Sequence, residues 1–360
     1  MLYELLYSLY PYFSPFNVFR YITFRTSLAA LTALVITVAI APRIIEKLKQ
    51  ISMTQQIRDD GPRTHLSKAG TPTMGGVIII IAVTVAMALW GNFRNIYVCV
   101  VLLSLLGFGA IGFVDDYLKA VKKNPKGLRP LYKFGAQLSL SLLIGIFLYI
   151  NPKDQYASVL SIPFFKQWLF DLGIFYIPFS IFVIVGSSNA VNLTDGIDGL
   201  AIGLVAIATL ANGALVYLSG HAQFARYLQV LYLPGTGELT VFCGALLGAS
   251  LGFLWYNAYP AEVFMGDVGS LGLGGALGTM AVVTKHEIVL AVVGGIFVIE
   301  TISVVLQVAS FKLTGNRIFK MAPIHHHFEL KGWSEPKVIV RFWIAGIILA
   351  LFSLATLKLR

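Results

Sequence analysis

The chain has 360 residues and a formal net charge of +10, with 57% of its residues hydrophobic and only 12% charged. Its mean hydropathy of +0.78 lies well beyond the balance of a soluble globular domain. This composition excludes a soluble domain and predicts an all-α, polytopic membrane protein.

Ten apolar stretches follow one another along the chain, and each is long enough, or nearly so, to cross ~30 Å of hydrocarbon. We predict a transmembrane helix over Tyr21–Ala41, Met74–Trp90, Ile96–Val114, Phe134–Ile150, Leu172–Ser187, Leu200–Leu218, Leu239–Tyr256, Val268–Val283, Ile288–Phe311 and Val338–Leu357. No long linker separates them, so we expect a single membrane domain over 1–360. Three glycines at helical spacing in the seventh span favour close helix packing over chemistry: Gly244, Gly248 and Gly252.

Lysine and arginine are unevenly distributed over the loops between these spans. The segments 43–68, 119–133 and 312–337 carry 17 of them, whereas the segments on the opposite side, both termini included, carry nine. The positive-inside rule therefore places the first set in the cytoplasm and both termini in the periplasm. The same alternation puts 187–200 and 256–270 on the cytoplasmic face, although neither contains a Lys or Arg.

The third predicted span runs directly into two adjacent acids, Asp115 and Asp116. A helix C-terminus carries partial negative charge and favours cations, so a pair of carboxylates is locally unfavourable there. One interpretation is a solvated helix end. The other is a divalent-cation site, because Mg²⁺ between two hard oxygen ligands offsets their mutual repulsion.

Two later cytoplasmic loops add isolated acids and amides. In "SSNAVNLTDGIDGL" (187–200), Asp195 and Asp198 are three residues apart where the sixth helix is expected to begin, so both could project from its first turn. In the loop 256–270, Asp267 precedes the eighth span. The alternative to a functional site is a helix N-cap for Asp267, and a turn with a cap for Asp195 and Asp198. Shared placement on one face favours a common site that also includes three amides: Asn189, Asn192 and Asn257.

The remaining charged features allow more than one role. The basic run from Lys119 to Lys133 is typical of a topology anchor, and it would also attract a diphosphate or anionic headgroups. In "MAPIHHHFELKGWSEPK" (321–337), adjacent histidines cannot all face one ion in regular structure, which favours phosphate contact or proton transfer by one or two of them. Glu300 lies within the ninth span, where an acid indicates either function or a hydrogen bond to a neighbouring helix.

Several catalytic signatures are absent from the sequence. It contains no G-x-x-x-x-G-K-[ST] loop, no H-E-x-x-H and no G-x-S-x-G elbow. The sequence therefore gives no support to P-loop ATP coupling, zinc proteolysis or elbow-type hydrolysis.

Three motifs in this order, "FVDDYLK", "NAVNLTDGIDGL" and "FMGDVGSLGLGG", resemble those of the polyprenyl-phosphate N-acetylhexosamine-1-phosphate transferases, which are glycosyltransferase 4-like membrane enzymes. "PIHHHFELKGWSE" narrows the likeness to the branch that handles N-acetylmuramoyl-pentapeptide in bacterial peptidoglycan synthesis. The likeness covers essentially the whole chain. It implies transfer of phospho-N-acetylmuramoyl-pentapeptide from its UDP derivative to undecaprenyl phosphate, with release of UMP. It also implies Mg²⁺ dependence, a bacterial inner-membrane location and a homodimer. No nucleic-acid partner is expected.

The resemblance implies roles for particular residues. Asp267 would bind Mg²⁺ with Asp116 as a further ligand, and Asp115 would orient or deprotonate the lipid phosphate. A covalent route with one of these aspartates as nucleophile is an alternative. Substrate contacts are expected from Lys68, Lys133, Asn189, Asn192, Asp195, Asp198, Asn257, Phe264, His325, His326 and His327. Among these, Phe264 would stack on uracil, and a groove beside the Glu300 helix would receive the prenyl chain.

Two other functions fit parts of the pattern. A related transferase could use UDP-N-acetylglucosamine for another envelope polymer, and the histidine loop is the feature that argues against it. An ion-coupled transporter would place its acids near the membrane midplane, often in broken helices of inverted repeats. Most acids here are in loops on one predicted face, which favours the enzyme.

Overall fold

The computed structural model describes residues 2–51, 70–120, 122, 127–152, 156–163 and 168–357. Its α-helices are, in chain order, α1 Leu2–Ser8, α2 Ile22–Gln50, α3 Gly76–Trp90, α4 Ile96–Ala120, α5 Pro130–Ile150, α6 Tyr176–Thr194, α7 Leu200–Gly220, α8 Ala222–Leu228, α9 Leu239–Asn257, α10 Gly266–Thr284, α11 Glu287–Val293, α12 Gly295–Thr314, α13 Ile324–Glu329 and α14 Glu335–Ala355. Short 3-10 helices cover Ser14–Arg20, Gly173–Phe175 and Thr236–Glu238. A hairpin pairs β1 (Val159–Ser161) antiparallel to β2 (Leu169–Asp171), with Val159 opposite Asp171.

Nine helices in the described part of the chain are long and apolar enough to cross a membrane: α2, α4, α5, α6, α7, α9, α10, α12 and α14. The remaining predicted span, Met74–Trp90, corresponds to α3, which is apolar but has only 15 residues, about 22 Å at 1.5 Å per residue. The fold is therefore a polytopic helical membrane bundle.

Several predicted helix ends and placements differ from the structure, and three of them have a clear local reason. The third span does not end at Val114, because α4 continues to Ala120 and Lys119 pairs with Asp115 one turn earlier. Asp195 and Asp198 are not in the first turn of α7. They lie in the turn that precedes it, which ends at Gly199 with φ +74°.

The ninth predicted span is also divided. The structure breaks it between α11 and α12 at Gly294, where two consecutive glycines weaken the helix. A side chain at Gly295 would press against Leu349 of α14. The break therefore occurs where α12 approaches α14 closely.

The glycine-rich helix α10 forms the centre of the bundle between α4 and α6. A methyl group added at Gly112 of α4 would collide with the backbone of Asp267, and one at Gly274 would collide with Ser187 of α6. Close backbone approach thus aligns the acid-bearing ends of α4 and α10. The glycine triplet of α9 behaves as predicted, since Gly244 and Gly248 face the α2 backbone at Thr26 and Ala30.

The end of the bundle opposite the aspartates is held together by Arg25. Its guanidinium donates to both carboxylate oxygens of Glu238 at 2.9 and 2.8 Å and to the carbonyl oxygen of Trp90 at 3.3 Å. Nearby, Arg94 pairs with Glu4 of α1 at 3.1 Å. The described beginning of the chain therefore lies at this end.

Candidate active site

Asp115 and Asp267 share the same two ammonium groups. Lys133 Nζ lies 2.9 Å from Asp115 Oδ2 and 2.8 Å from Asp267 Oδ2, and Lys119 Nζ lies 2.9 Å from both oxygens. Asp115 is almost fully buried, and Asp115 Oδ1 also accepts a 2.7 Å bond from Leu128 N. The close approach of α4 and α10 therefore places two carboxylates and two cations in one cluster.

Asp116 has a different environment from its neighbour. Its Oδ2 accepts a 3.1 Å bond from Val268 N, a free amide in the first turn of α10. A helix N-terminus stabilises a carboxylate through such amides and through its partial positive charge. Asp116 is thus held by the α10 terminus, whereas Asp115 is held mainly by lysines.

Asn192 completes the surroundings of Asp267. Its side-chain nitrogen donates to Asp267 Oδ1 at 2.7 Å and to Ser270 Oγ at 2.8 Å. Asn189, one turn earlier in α6, instead donates to Gln137 Oε1 of α5 at 2.8 Å. The structure therefore brings Asn192 into the aspartate cluster, and Asn189 joins α6 to α5.

Asp195 also lies beside the cluster, in the turn after α6. Burial, followed by the negative charges of Asp267 and Asp116, raises the pKa of its carboxyl to about 8, and a hydrogen bond from Gly266 N opposes this shift. The Asp195 carboxyl is therefore mostly protonated at neutral pH. In that form it can donate a hydrogen bond as well as accept one.

Asp198 and Asn257 connect two loops. Asp198 Oδ2 accepts from Ala261 N at 3.0 Å, and Asn257 Oδ1 accepts from Gly199 N at 3.1 Å. Asn257 also donates to Val263 O at 2.8 Å. Both side chains are nearly fully buried. These bonds hold the loop that leads to α10 against the turn that leads to α7.

Phe264 is fixed by its backbone at the entrance to α10. Its nitrogen donates to Pro72 O at 2.8 Å, and its carbonyl accepts from Gly75 N at 2.8 Å. The side chain is half-buried. Lys68, the other residue expected to contact the nucleotide, lies outside the described residues.

The three histidines have three different partners. His325 is completely buried, its Nδ1 lies 3.1 Å from Glu300 Oε2, and its ring lies against Gly196 of the turn after α6. His326 Nδ1 contacts Glu329 Oε2 at 2.7 Å. This divergence agrees with the expectation that the three rings do not face one ion, and Glu300 contacts a neighbouring helix as one alternative predicted.

His327 faces the preceding loop. Its Nδ1 accepts a 3.1 Å bond from Lys320 N. Partial burial and the charges of Lys331 and Lys320 lower the pKa of its imidazole. A neutral ring that accepts a backbone bond fits a residue that holds the loop.

Three residues that contact predicted site residues were not themselves predicted. Lys119 follows Asp115 by four residues, Gln137 follows Lys133 by four, and Ser270 follows Asp267 by three. Each is one helical turn from a predicted residue, and this spacing is the signal that could have identified them.

The donor set suits Mg²⁺ that is completed by a substrate. Within the described ranges, no three His, Cys, Asp or Glu side chains form a ready-made metal cage. Mg²⁺ is usually held by one or two carboxylates together with substrate phosphates and water. Asp267 and Asp116, which meet at the first turn of α10, supply ligands of this kind.

The bundle gathers acids and lysines at one end, and the family that its sequence matches makes it a membrane-embedded transferase. The profile of glycosyl transferase family 4 matches residues 97–285, which include all of the clustered aspartates. Residues 68–80 match signature 1 of phospho-N-acetylmuramoyl-pentapeptide-transferase.

Full-length relatives narrow this class. The chain is 70% identical to the phospho-N-acetylmuramoyl-pentapeptide-transferase of Thermodesulfovibrio yellowstonii, 57% identical to that of Syntrophus aciditrophicus and 56% identical to that of Citrifermentans bemidjiense, and each match covers both chains completely. The chain belongs to the phospho-N-acetylmuramoyl-pentapeptide-transferase family. The resemblance found in the motifs is confirmed.

Proposed function

We propose that this protein transfers phospho-N-acetylmuramoyl-pentapeptide from UDP-N-acetylmuramoyl-pentapeptide to undecaprenyl phosphate, which yields lipid I and UMP. The observation that carries the proposal is the cluster in which Lys119 and Lys133 bridge Asp115 and Asp267 at one end of a membrane bundle. One substrate is soluble and the other is a lipid, so a site at the membrane surface can receive both. Exchange of one phosphoanhydride for another is nearly balanced in energy and needs no ATP.

We further infer that the cluster faces the cytoplasm of the bacterial inner membrane, with ten spans and both termini in the periplasm. The distribution of Lys and Arg supports this orientation. The pairing of Glu4 with Arg94 supports an N-terminus at the end opposite the aspartates. A homodimer stays a prediction from the resemblance.

Mg²⁺ is the metal that we assign to this site, with Asp267 and Asp116 as its protein ligands. When bound, it would neutralise charge on the diphosphate of the sugar nucleotide. Asp267 is oriented for this role by Asn192, and Asp116 by the amide of Val268. The protein thereby fixes both carboxylates before substrate arrives.

The lysines are the second electrostatic element. Both reach the surface of the cluster, since Lys119 keeps 41% and Lys133 19% of its side chain exposed. A diphosphate that approaches Asp267 would accept contacts from their ammonium groups. We propose that the lysines move from the carboxylates to the phosphates and hold the negative charge that builds up on the leaving UMP.

Direct attack by the lipid phosphate is the route that we favour. Asp115 has a backbone amide on one oxygen and two ammonium groups on the other, and these charge-assisted bonds occupy the lone pairs that a nucleophile would use. A phosphate monoester with a second pKa near ~6 is already mostly dianionic at neutral pH. Asp115 would therefore position the lysines and the attacking phosphate, and it need not remove a proton.

The remaining predicted residues surround the cluster. Asn189, Asn192 and Asp195 would border the nucleotide, Phe264 would stack on uracil and Lys68 would reach it. Asp198 and Asn257 would act by holding the loops that carry these groups. His326 would contact a phosphate, with His325 and His327 fixing its helix.

The test is a reconstituted reaction. Purified protein in vesicles that contain undecaprenyl phosphate receives Mg²⁺ and either UDP-N-acetylmuramoyl-pentapeptide or UDP-N-acetylglucosamine, and UMP and lipid product are measured. We expect product only with the muramoyl nucleotide, and none after chelation of the metal. Preference for UDP-N-acetylglucosamine would overturn the substrate assignment, and UMP release without undecaprenyl phosphate would overturn the acceptor.

A further inference from the structure

One stripe of α14 combines cations at one end with exposed apolar side chains along the rest of the helix. Its members follow one another at spacings of three or four residues and therefore share a face: Lys337, Arg341, Ile344, Ile348 and Leu351. The three apolar residues are 51, 60 and 61% exposed. An exposed apolar stripe on a membrane-spanning helix faces lipid.

Both cations converge on Trp333. Arg341 Cζ lies 4.2 Å and Lys337 Nζ 5.6 Å from the centroid of its ring. Tryptophan is enriched at the level of the headgroups, where its ring is partly buried and its N–H reaches polar partners. The pair therefore marks the membrane surface at the end of the bundle where α14 begins.

The convergence of two like charges on one ring favours an external anion. Lysine and arginine four residues apart on a helix repel each other. In the described part of the chain, no carboxylate pairs with either of them, and the nearby Glu335 is buried and accepts from Asp198 N at 3.0 Å. A phosphate placed between Lys337 and Arg341 would relieve this repulsion.

We propose that Trp333, Lys337 and Arg341 bind the phosphate of an anionic phospholipid. Its acyl chains lie along Ile344, Ile348 and Leu351. The ten helical steps from Arg341 to Leu351 span about 15 Å, which is half of the ~30 Å hydrocarbon core and therefore one leaflet. Charge and length thus both match a lipid with an anionic headgroup.

This site is separate from the aspartate cluster. The cluster is built from α4, α5, α6 and α10, whereas α14 packs on α7, α11, α12 and α13. Trp333 does contact the histidine helix, because its ring stacks on Phe328 of α13 at 4.7 Å. A bound headgroup would therefore lie beside the histidine helix without touching the clustered aspartates.

Fluorescence quenching of Trp333 tests the proposal. The protein is placed in phosphatidylcholine vesicles that contain increasing amounts of phosphatidylglycerol brominated close to the headgroup. The chain has five tryptophans, so the signal of Trp333 is the difference between each protein and its Trp333→Phe counterpart. We expect quenching that saturates with phosphatidylglycerol, and a midpoint at least about fivefold higher in the Lys337→Gln/Arg341→Gln variant.

Lys331→Gln is the matched control, because it removes an exposed cation of the same loop that does not contact Trp333; its midpoint should not move. An unchanged midpoint in the double variant would overturn the proposal, as would equal quenching by brominated phosphatidylcholine. Relief of quenching by inorganic phosphate at constant ionic strength would indicate a free-anion site instead. Preferential relief by polyprenyl phosphate would assign the site to the substrate and also overturn it.

Discussion

The three clustered aspartates are chemically unequal although they share a few ångströms of space. Asp115 has contacts on both oxygens, Asp267 is bound by two lysines and an amide, and Asp116 depends on the amide at the start of α10. Replacing any one of them therefore removes a different set of contacts. The residues that distinguish them are the lysines.

Lys133→Gln should reduce UMP release on the order of 10²-fold, because it removes one charged donor from the developing negative charge. The same variant should bind Mg²⁺ more tightly in the absence of substrates, since one ammonium group no longer competes for Asp267 Oδ2. Turnover and metal titration are measured on the same preparation.

Lys122→Gln is the control for this variant, as Lys122 is an exposed lysine of the same segment. It should keep both activity and metal affinity. Normal turnover in Lys133→Gln would remove Lys133 from the proposed mechanism. Unchanged metal affinity would show that the lysine does not compete with the ion.

At the scale of elements, the site depends on how closely α4 and α10 approach. A glycine at position 112 allows the α4 backbone to contact the carbonyl of Asp267, and Gly76 of α3 similarly contacts Gly269. Helices meet this closely in membranes where small residues line the interface. The position of the Asp267 carboxylate is thus decided by residues without functional groups.

Gly112→Ala should displace the first turn of α10 and lower activity strongly, and it should destabilise the protein by about 1–3 kcal/mol through overpacking. Gly186→Ala in α6 is the matched control, because nothing lies within 4 Å of its added methyl group. Thermal unfolding in detergent and UMP release are compared for both. If Gly112→Ala keeps wild-type activity, Asp267 tolerates a shift of its helix.

The start of α11 carries a buried acid far from the aspartate cluster. Glu287 contacts the Tyr176 hydroxyl, and Lys285 Nζ lies 3.7 Å from the centroid of the Tyr176 ring. Burial raises the pKa of Glu287 to about 7, against the opposing effects of Lys285 and of the Tyr176 bond. The folded protein therefore binds this proton more tightly than the unfolded chain.

Stability should consequently fall as pH rises from about 4.5, the value in the unfolded chain, to about 7, by an amount on the order of 3 kcal/mol. Above this window the contribution of Glu287 is lost. Glu287→Gln is neutral throughout, so the difference in melting temperature between it and wild type should change across the same window. A constant difference from pH 4.5 to 7.5 would contradict the assignment.

For the molecule as a whole, the two ends of the bundle perform different tasks. One end gathers acids, lysines and histidines, and the other is closed by Arg25 with Glu238 and by the hairpin of β1 and β2. A soluble nucleotide and a membrane lipid can meet only at a surface where both are present. This polarity makes orientation in the membrane part of the mechanism.

Cysteine labelling tests that orientation. In a Cys99→Ser background, Asn151→Cys at the end of α5 should react with an impermeant maleimide in intact cells. Lys122→Cys, two residues after the end of α4, should react only after the cytoplasmic membrane is permeabilised. Labelling of both variants from outside, or the reverse pattern, would contradict the proposed topology.

The sequence was sufficient for features that depend on composition and on short spacing. Apolar length predicted the nine spans that the structure shows as long apolar helices, and glycine spacing predicted close packing of α9, although not its partner α2. Motif order identified the family. Predicted helix boundaries were less accurate where an ion pair extends a helix, as at Lys119, or where close packing interrupts one, as at Gly294.

The sequence by itself determined that this chain is a membrane bundle of one enzyme family, because hydrophobic length and local motifs are properties of neighbouring residues. Only the tertiary structure decided that Asp267 meets Asp115 through two lysines, that Asn257 joins Asp198 in holding loops, and that His325 faces Glu300. These contacts connect residues far apart in the chain. Their geometry follows from how closely helices pack, which no local pattern specifies.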